Sequence, residues 1–271
     1  MSATDQTPLA NVGLMKGKRG LVLGIANANS AAYSIAQQIV AQGGEVAISY
    51  QNEGMLKRVK PLADELGAEL LLECDVEHEA SMDSMFATLK ETWGELDFVV
   101  HSLAYADRNE LKGQYVDTSR ENFQRAMLIS CFSLTEIAQR AEPLMKAGGS
   151  MITLTFIGSR RTLPAYNVMG VAKAGLEASV RYLAGDLGPK GIRINAVSPG
   201  PLKTISGAAI STGRRIYSES ADLAPLGRNA TTDEVGRVGL YFLSDLSSGV
   251  TGCVHSVDGG FHSVGLGKEK A

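Results

Sequence analysis

Apolar residues along this chain follow two alternating rhythms: short unbroken runs, and longer stretches in which they recur every three or four positions. The first run, Arg19–Ile25 (RGLVLGI), predicts a buried strand. After Ser30, the alanines, Ile35, Ile39 and Val40 share one face of a predicted helix that stops at Gly43-Gly44. Glu45–Tyr50 predicts a second strand, Asn52 a cap for the next helix, Pro61 an end or bend in it, and Leu70–Cys74 a third strand. Met82, Met85, Phe86, Leu89 and Trp93 recur at helical spacing and predict a core-facing stripe rather than a ligand box. Leu96–His101 reads as the fourth strand, Ser119 to Met145 as a long helical region, and Ser150–Phe156 as the fifth strand. Tyr166 to Leu187 is helical in pattern, Ile192–Val197 a sixth strand, Thr232 the opening of a helix toward Leu243, and Cys253–Val257 a last short strand. Between 199 and 229 the rhythm breaks into glycines, prolines and short helical fragments, which predicts an insertion or lid over about 200–227.

Strand–helix units repeated at this spacing predict an α/β fold: a doubly wound parallel sheet with helices on both faces. The strands are apolar without strict alternation, as strands covered on both sides should be. No internal repeat or linker interrupts residues 1–271, so a single domain is expected. In such sheets ligands bind outside the carboxyl ends of the strands. That rule selects Gly24–Ser30, Gln51, Asp75, His101–Ala106, Phe156–Tyr166 and the segment after Val197.

Composition narrows the classes. The 26 basic and 29 acidic residues give a formal charge of −3, with no basic field to hold a phosphate backbone, so no nucleic-acid partner is expected. Cys74, Cys131 and Cys253 are odd in number, far apart and without a CxxC pair, which argues against both a disulfide framework and a zinc site. The first residues lack the basic-then-apolar pattern of a secretory leader, and no run approaches 18 apolar residues. A soluble cytoplasmic protein without membrane insertion is therefore expected.

Two places carry candidate chemistry. Strand one exits into GIANANSAA, where Gly24 opens the turn and Ser30 with Ala31 begins a helix whose N–H groups suit a pyrophosphate. The usual GxGxxG spacing is missing, so this turn alone fits a plain strand–helix connection equally well. Strand two ends in Tyr50-Gln51-Asn52, with neither a carboxylate nor an immediate arginine to choose between NAD and NADP. Asp75-Val76 could meet an adenine amino group or simply form a turn.

The second place is Tyr166 and Lys173, seven residues apart. On an α-helix that is about 10 Å of rise and nearly two turns, which predicts one shared face. A phenol could then meet a substrate while the ammonium reaches a ribose and lowers the phenol's pKa. A surface tyrosine with an unrelated lysine is the alternative when the pair is taken alone. Four residues beyond Tyr166 stands Gly170, so the Tyr-x-x-x-Lys of ordinary short-chain dehydrogenases is absent here.

Taken together, the Gly24…Ser30-Ala31 turn, CDV at 74–76, HSLAYA at 101–106, YNVMGVAKA at 166–174, GPLKT at 200–204 and HSVDGG at 255–260 resemble one family. It is the bacterial enoyl-acyl-carrier-protein reductases of the FabI type, a divergent branch of the short-chain dehydrogenase/reductases. The resemblance spans about residues 13–264, with Tyr-x₆-Lys its most specific mark and VDGG common to the broader family. It implies a Rossmann-type fold and NADH-dependent reduction of trans-2-enoyl thioesters, with NADPH as the second choice of cofactor. Ser30 and Ala31 match the pyrophosphate loop, Gln51 the adenosine ribose contact, Asp75 and Val76 the adenine pair, and Leu103 the cofactor-facing loop after strand four. Lys173 matches the ribose-binding lysine and Thr204 a pyrophosphate threonine, while Leu202, Lys203, Ile205 and Ser206 belong to the backbone bracing the nicotinamide. Ala106, Phe156 and Tyr166 match substrate-contacting positions, with Tyr166 and Lys173 as the catalytic pair. The family further implies acyl carrier protein as partner, a homotetramer and a mobile lid.

Departures are few. Many members carry a tyrosine where Phe156 stands, which makes this position an apolar wall here and not a proton donor. Ala32 and Ala104 are small changes, and Pro199 resembles the ordinary short-chain type. No metal is expected: His101, His255 and His262 have no carboxylate–histidine spacing around them. Arg160, Arg161, Arg214 and Arg215 either steer an acidic carrier or are ordinary solvated pairs. A 3-oxoacyl-thioester reductase and a non-enzymatic nucleotide sensor are the rival functions.

Overall fold

In the computed structural model, residues 9–204 and 212–265 are described. Seven strands form one sheet: β1 (Arg19–Leu23), β2 (Glu45–Tyr50), β3 (Leu70–Glu73), β4 (Leu96–His101), β5 (Met145–Leu154), β6 (Arg193–Pro199) and β7 (Val254–Val257). Their order is β3-β2-β1-β4-β5-β6-β7 and every neighbouring pair is parallel. Parallel strands need helical crossovers, and these are α1 (Ala31–Ala41), α2 (Glu53–Glu65), α3 (Glu79–Thr92), α4 (Arg120–Met127), α5 (Ser133–Ala141), α6 (Val168–Leu187), α7 (Gly213–Leu223) and α8 (Thr232–Leu243).

Two apolar layers cover the sheet. One gathers Leu21, Leu23, Val99 and Met151 against the α3 stripe Met82, Met85, Phe86 and Leu89, with Leu176 and Val180 of α6. The other gathers Val22, Ile48, Val100 and Ile152 against Ile35 and Ile39 of α1 and Leu240 of α8. Neighbours along one strand, such as Leu21 and Val22, thus point into opposite layers, which is why the strands read as apolar runs. Trp93, the last residue of the predicted stripe, is only partly buried.

The element boundaries differ from the sequence pattern where backbone chemistry intervenes. β1 stops at Leu23 because Gly24 turns to φ +96. α2 continues through Pro61 to Glu65, with Pro61 on the solvent face while Val59 and Ala63 face the core, so of the predicted end or bend the end is not realised. Asn52 does cap that helix, its side chain accepting from the Met55 N–H. The region expected as one helix from Ser119 is α4, a π-helical turn at Leu128–Phe132, α5, and a 3₁₀ turn at Glu142–Leu144 containing Pro143. β5 begins at Met145 and ends at Leu154, earlier at both ends than expected. α6 starts at Val168, two residues after Tyr166, because Ala165 and Asn167 both have positive φ.

The sheet order reverses direction between β1 and β4, so their following loops diverge and leave a crevice at the carboxyl edge. The functional site lies there.

Candidate active site

A cavity of about 830 Å³ opens at this crevice, a size ordinary for a cofactor with a small substrate. Among the expected residues, Gly24, Ser30, Ala31, Leu103, Ala106, Phe156, Tyr166, Lys173, Leu202 and Thr204 all line it. Gln51, Asp75, Val76 and Lys203 do not. Gln51 Nε2 donates to Asp75 Oδ2 at 3.3 Å across the exits of β2 and β3, Val76 is buried in the core, and Lys203 lies over the Tyr217 ring at 4.9 Å. Ile205 and Ser206 fall outside the described residues.

The cavity's first wall is the turn after β1. A Cβ on Gly24 would lie 2.0 Å from the Ser102 carbonyl oxygen, so only glycine lets the β1 and β4 exits approach this closely. Ser30 does not cap α1 with its side chain. Its hydroxyl turns back to accept the Ala26 and Asn27 N–H groups at 3.0 and 3.1 Å, leaving the helix's first turn without a side-chain cap at the cavity. Open N–H groups at a helix start suit an anionic phosphate, so the residues present fit a dinucleotide.

The second wall carries Tyr166 and Lys173. Their shared face does not come from one helix, as the spacing suggested: Tyr166 sits in the turn before α6 and Lys173 within it, and the turn brings both to one cavity. The Tyr166 ring packs edge-on to Phe156 (5.2 Å between centroids, 65°) in an apolar cluster with Leu111, Val168 and Met169. A Cβ on Gly158 would meet that ring at 2.3 Å. Gly170 packs against the Gly158 carbonyl oxygen, which a Cβ there would approach to 2.8 Å. The position where ordinary short-chain dehydrogenases place lysine is therefore closed to any side chain by backbone.

Burial sets the electrostatics. Tyr166 is 7% exposed, and desolvation, with the Glu177 charge adding to it, pushes its phenol well above the ordinary tyrosine range. The expected lowering by Lys173 is thus overturned: desolvation of the phenolate dominates, and the neighbouring charge that acts on it is Glu177, in the same direction. No described group hydrogen-bonds the Tyr166 hydroxyl, which stays protonated and available as a donor. Lys173 Nζ donates to the Leu154 carbonyl at 2.8 Å and more loosely to Leu103 at 3.4 Å. Desolvation pulls its pKa down to about 8, with Cys131 and Glu177 opposing.

Sequence reading missed the supports. Glu177, one turn beyond Lys173 on α6, is buried and accepts from Thr155 Oγ1 (2.9 Å), Ser159 Oγ (2.5 Å) and Arg160 Nε (3.1 Å). Its i+4 relation to Lys173 was the available signal. Arg160, though exposed, is thereby paired, and Arg161 donates to the carbonyls of His262 and Val264, so neither is a free surface cation. Buried His101 lies between Thr153 Oγ1 at Nδ1 and Ser133 Oγ at Nε2 (3.0 and 2.8 Å). Because Ser133 Oγ donates to the Ile129 carbonyl at 2.7 Å, it accepts from His101, which assigns the proton to Nε2. Desolvation, with Lys173 nearby, drops this imidazole's pKa to about 3, so it is neutral. His255 packs edge-on to Phe242 and His262 pairs with Asp258.

With this geometry in view, the kinship is decisive. A family model described as enoyl-(acyl carrier protein) reductase matches residues 24–262. The chain belongs to the enoyl-(acyl carrier protein) reductase family. Among its relatives, the enoyl-[acyl-carrier-protein] reductase [NADH] 2 of Rhizobium meliloti (strain 1021) is 57% identical over 250 residues, 92% of this chain and 93% of the relative. The enoyl-(acyl-carrier-protein) reductase of Anaplasma phagocytophilum, solved in complex with NAD, superposes with a TM-score of 0.91 at 51% identity, covering 95% of this chain and 96% of that one. FabI of Candidatus Liberibacter asiaticus gives 0.93 at 50%, covering 94% and 99%. In this chain, the Gly158 carbonyl oxygen lies where a side chain at position 170 would begin, and it is the lysine seven residues after the tyrosine that lines the cavity.

Proposed function

We propose that this protein reduces the C2–C3 double bond of trans-2-enoyl thioesters carried on acyl carrier protein, using NADH, in type II fatty-acid synthesis. The observation that carries the reading is a cavity holding Tyr166 and Lys173 at the switch point of the sheet, in a chain of this reductase family. When bound, NADH supplies the hydride for C3, and a proton at C2 completes the saturated thioester and NAD⁺.

The protein's residues act on binding and charge. Ser30, Ala31 and the start of α1 receive the pyrophosphate, Thr204 adds a hydroxyl beside it, and Lys173 holds the nicotinamide ribose. Gln51 with Asp75 and Val76 takes the adenosine end. Tyr166 donates a hydrogen bond to the thioester carbonyl oxygen, where negative charge develops as hydride arrives, so its contribution grows toward the transition state. A phenol held protonated by burial suits that role. Phe156 and Ala106 form the apolar wall for the acyl chain.

The lid expected over about 200–227, of which 205–211 lie outside the described residues, would shed water over bound substrate. It includes α7, whose Ile216 faces the cavity and whose Arg214 and Arg215 are exposed beside it. Arg215 pairs with Glu219 at 2.6 Å, which leaves exposed Arg214 the better placed of the four to steer an acidic carrier. NADPH is the weaker alternative cofactor; a homotetramer is what the family resemblance implies, and a cytoplasmic location is the reading of the sequence pattern. No helix among the described residues is long and apolar enough to cross a membrane.

The test is NADH oxidation with a 2-enoyl thioester, run beside a 3-oxoacyl thioester and beside NADPH. Faster enoyl turnover with NADH is expected. Faster 3-oxoacyl turnover would replace the reading with a ketoreductase, and NADH binding without turnover of either substrate would replace it with a nucleotide sensor.

A further inference from the structure

The turn that presents Tyr166 is held in a conformation its residues do not favour. Ala165 has φ +58, and Asn167 has φ +39 with ψ −121, so two side-chain-bearing residues in the glycine-favoured half of backbone space flank the tyrosine. Such strain persists only where the surroundings over-determine it. Beside Ala165, the Pro164 carbonyl accepts from Thr212 Oγ1 at 2.9 Å; at Asn167 the restraint is made by the residue's own side chain. Asn167 Nδ2 faces the carbonyl oxygens of Glu110, Leu111 and Gly113, each at 3.3 Å, so two amide hydrogens are shared among three acceptors. The Asn167 carbonyl accepts the Gly170 N–H at 2.9 Å, tying the same residue to the first turn of α6.

The loop that receives this amide is itself anchored. Leu111 is 4% exposed and packs in the apolar cluster that contains the Tyr166 ring. The Glu110 carboxylate accepts from the Ser119 N–H, the Ser119 hydroxyl and Asn122 Nδ2, and Asn122 Oδ1 accepts the Asp107 N–H. A continuous set of hydrogen bonds therefore runs from the start of α4, through the 107–113 loop, to the residue after Tyr166. Asn167 itself is absent from the cavity wall.

We propose that Asn167 is a positioning residue: by tying the strained turn to the 110–113 backbone, its side-chain amide fixes where the Tyr166 hydroxyl enters the cavity. Asparagine joins two properties here, tolerance of positive φ and a side-chain donor. Glycine has only the first, which separates the tie from the backbone conformation. The inference rests on the reading of Tyr166 as donor to the thioester oxygen.

The experiment uses the full chain as wild type, Asn167→Gly, Tyr166→Phe and the double variant, with Asn167→Asp as a near-isosteric second probe. Expected for Asn167→Gly are an intact fold, unchanged NADH affinity, faster amide exchange over 108–113, and a kcat lower by roughly 10- to 100-fold, the scale of a reacting group displaced by about 1 Å. In the Tyr166→Phe background the same change should have little further effect on kcat, because its action passes through the phenol. Asn167→Asp, which sets a carboxylate against three carbonyl oxygens, should lose at least as much and show the same non-additivity. If Asn167→Gly does not fold, Asn167→Asp decides by the same cycle. Wild-type kcat and KM in Asn167→Gly, or fully additive losses, would overturn the proposal. A wild-type chain inert toward enoyl thioesters would overturn the functional reading instead, while unchanged exchange at 108–113 in Asn167→Gly would overturn the tie on its own.

Discussion

The two ends of the cofactor crevice are built on different physics. At the β5–α6 end, Tyr166 and Lys173 are 7% and 5% exposed, their neighbours pack at glycine distance, and desolvation dominates both side chains. At the β2–β3 end, Gln51 is exposed, Asp75 half-buried, and one hydrogen bond of 3.3 Å joins them. Groups in a dry, crowded site keep a fixed direction and interact strongly, whereas exposed groups exchange partners with water at little net gain. The comparison teaches that the proposed chemistry has been given to the end where burial has already met the cost of orientation, and that the proposed adenosine end offers only weaker, exposed contacts.

The most severe way to break this contrast is Tyr166→Phe. Removing a donor aimed at developing negative charge costs about 10²–10³ in kcat by precedent for such groups. Stopped-flow turnover beside an NADH titration checks it, and wild-type turnover would show that the phenol's hydroxyl has no part in the reaction.

Lys173→Met should weaken NADH binding by roughly 10- to 100-fold, the worth of a charge-assisted hydrogen bond. In the wild type, NADH affinity should fall as pH rises through about 8, where the buried ammonium loses its proton, while the variant's affinity stays flat. Stability runs the other way. Between about pH 8 and the ordinary lysine range the unfolded chain binds the proton and the folded chain does not, so the penalty of burying Lys173 is full below about 8 and relieved above it. Thermal unfolding should therefore show the variant's advantage over wild type shrinking as pH climbs through that window. A wild-type affinity independent of pH would show that Lys173 is not the ribose ligand.

Gly158→Ala probes crowding. Its Cβ would sit 2.3 Å from the Tyr166 ring, so the ring or the Ile157–Ser159 turn must shift. A loss of about 1–3 kcal/mol in stability is expected, with reduced kcat. Denaturant titration and steady-state rates measure both, and an undisturbed variant would mean the wall is looser than its geometry indicates. The smallest effect belongs to Gln51→Ala: a weakening of NADH binding by less than about tenfold, since one exposed hydrogen bond is worth about 0.5–1.5 kcal/mol. A larger loss would erase the distinction between the two ends.

The sequence was legible wherever a local rule governs. Apolar runs, the capping residue Asn52 and glycine stops placed the strands and most helices to within a few residues, because a strand covered on both faces needs apolar side chains whatever surrounds it. Tyr-x₆-Lys pointed to two residues that the fold brings to one cavity, which ten of the expected residues line. Three expectations failed for want of neighbours. Pro61 left α2 intact because its missing N–H falls on a solvent-facing turn. Tyr166 lay outside α6 because two strained residues flank it. Its pKa rose because burial, invisible to spacing, desolvates the phenolate, and Glu177 adds to the effect.

By itself, then, the order of residues determined the parallel sheet, the crevice at its switch point and the chemical types of the acting groups, since periodicity and motif spacing are properties of a single line. Only the folded chain decided that Gly158 and Gly170 close the nearer lysine position, that Glu177 and His101 are buried on polar partners, and that Asn167 reaches the 110–113 backbone. Those outcomes depend on atoms far apart in the chain meeting without water between them, and both desolvation and close packing are set by that meeting.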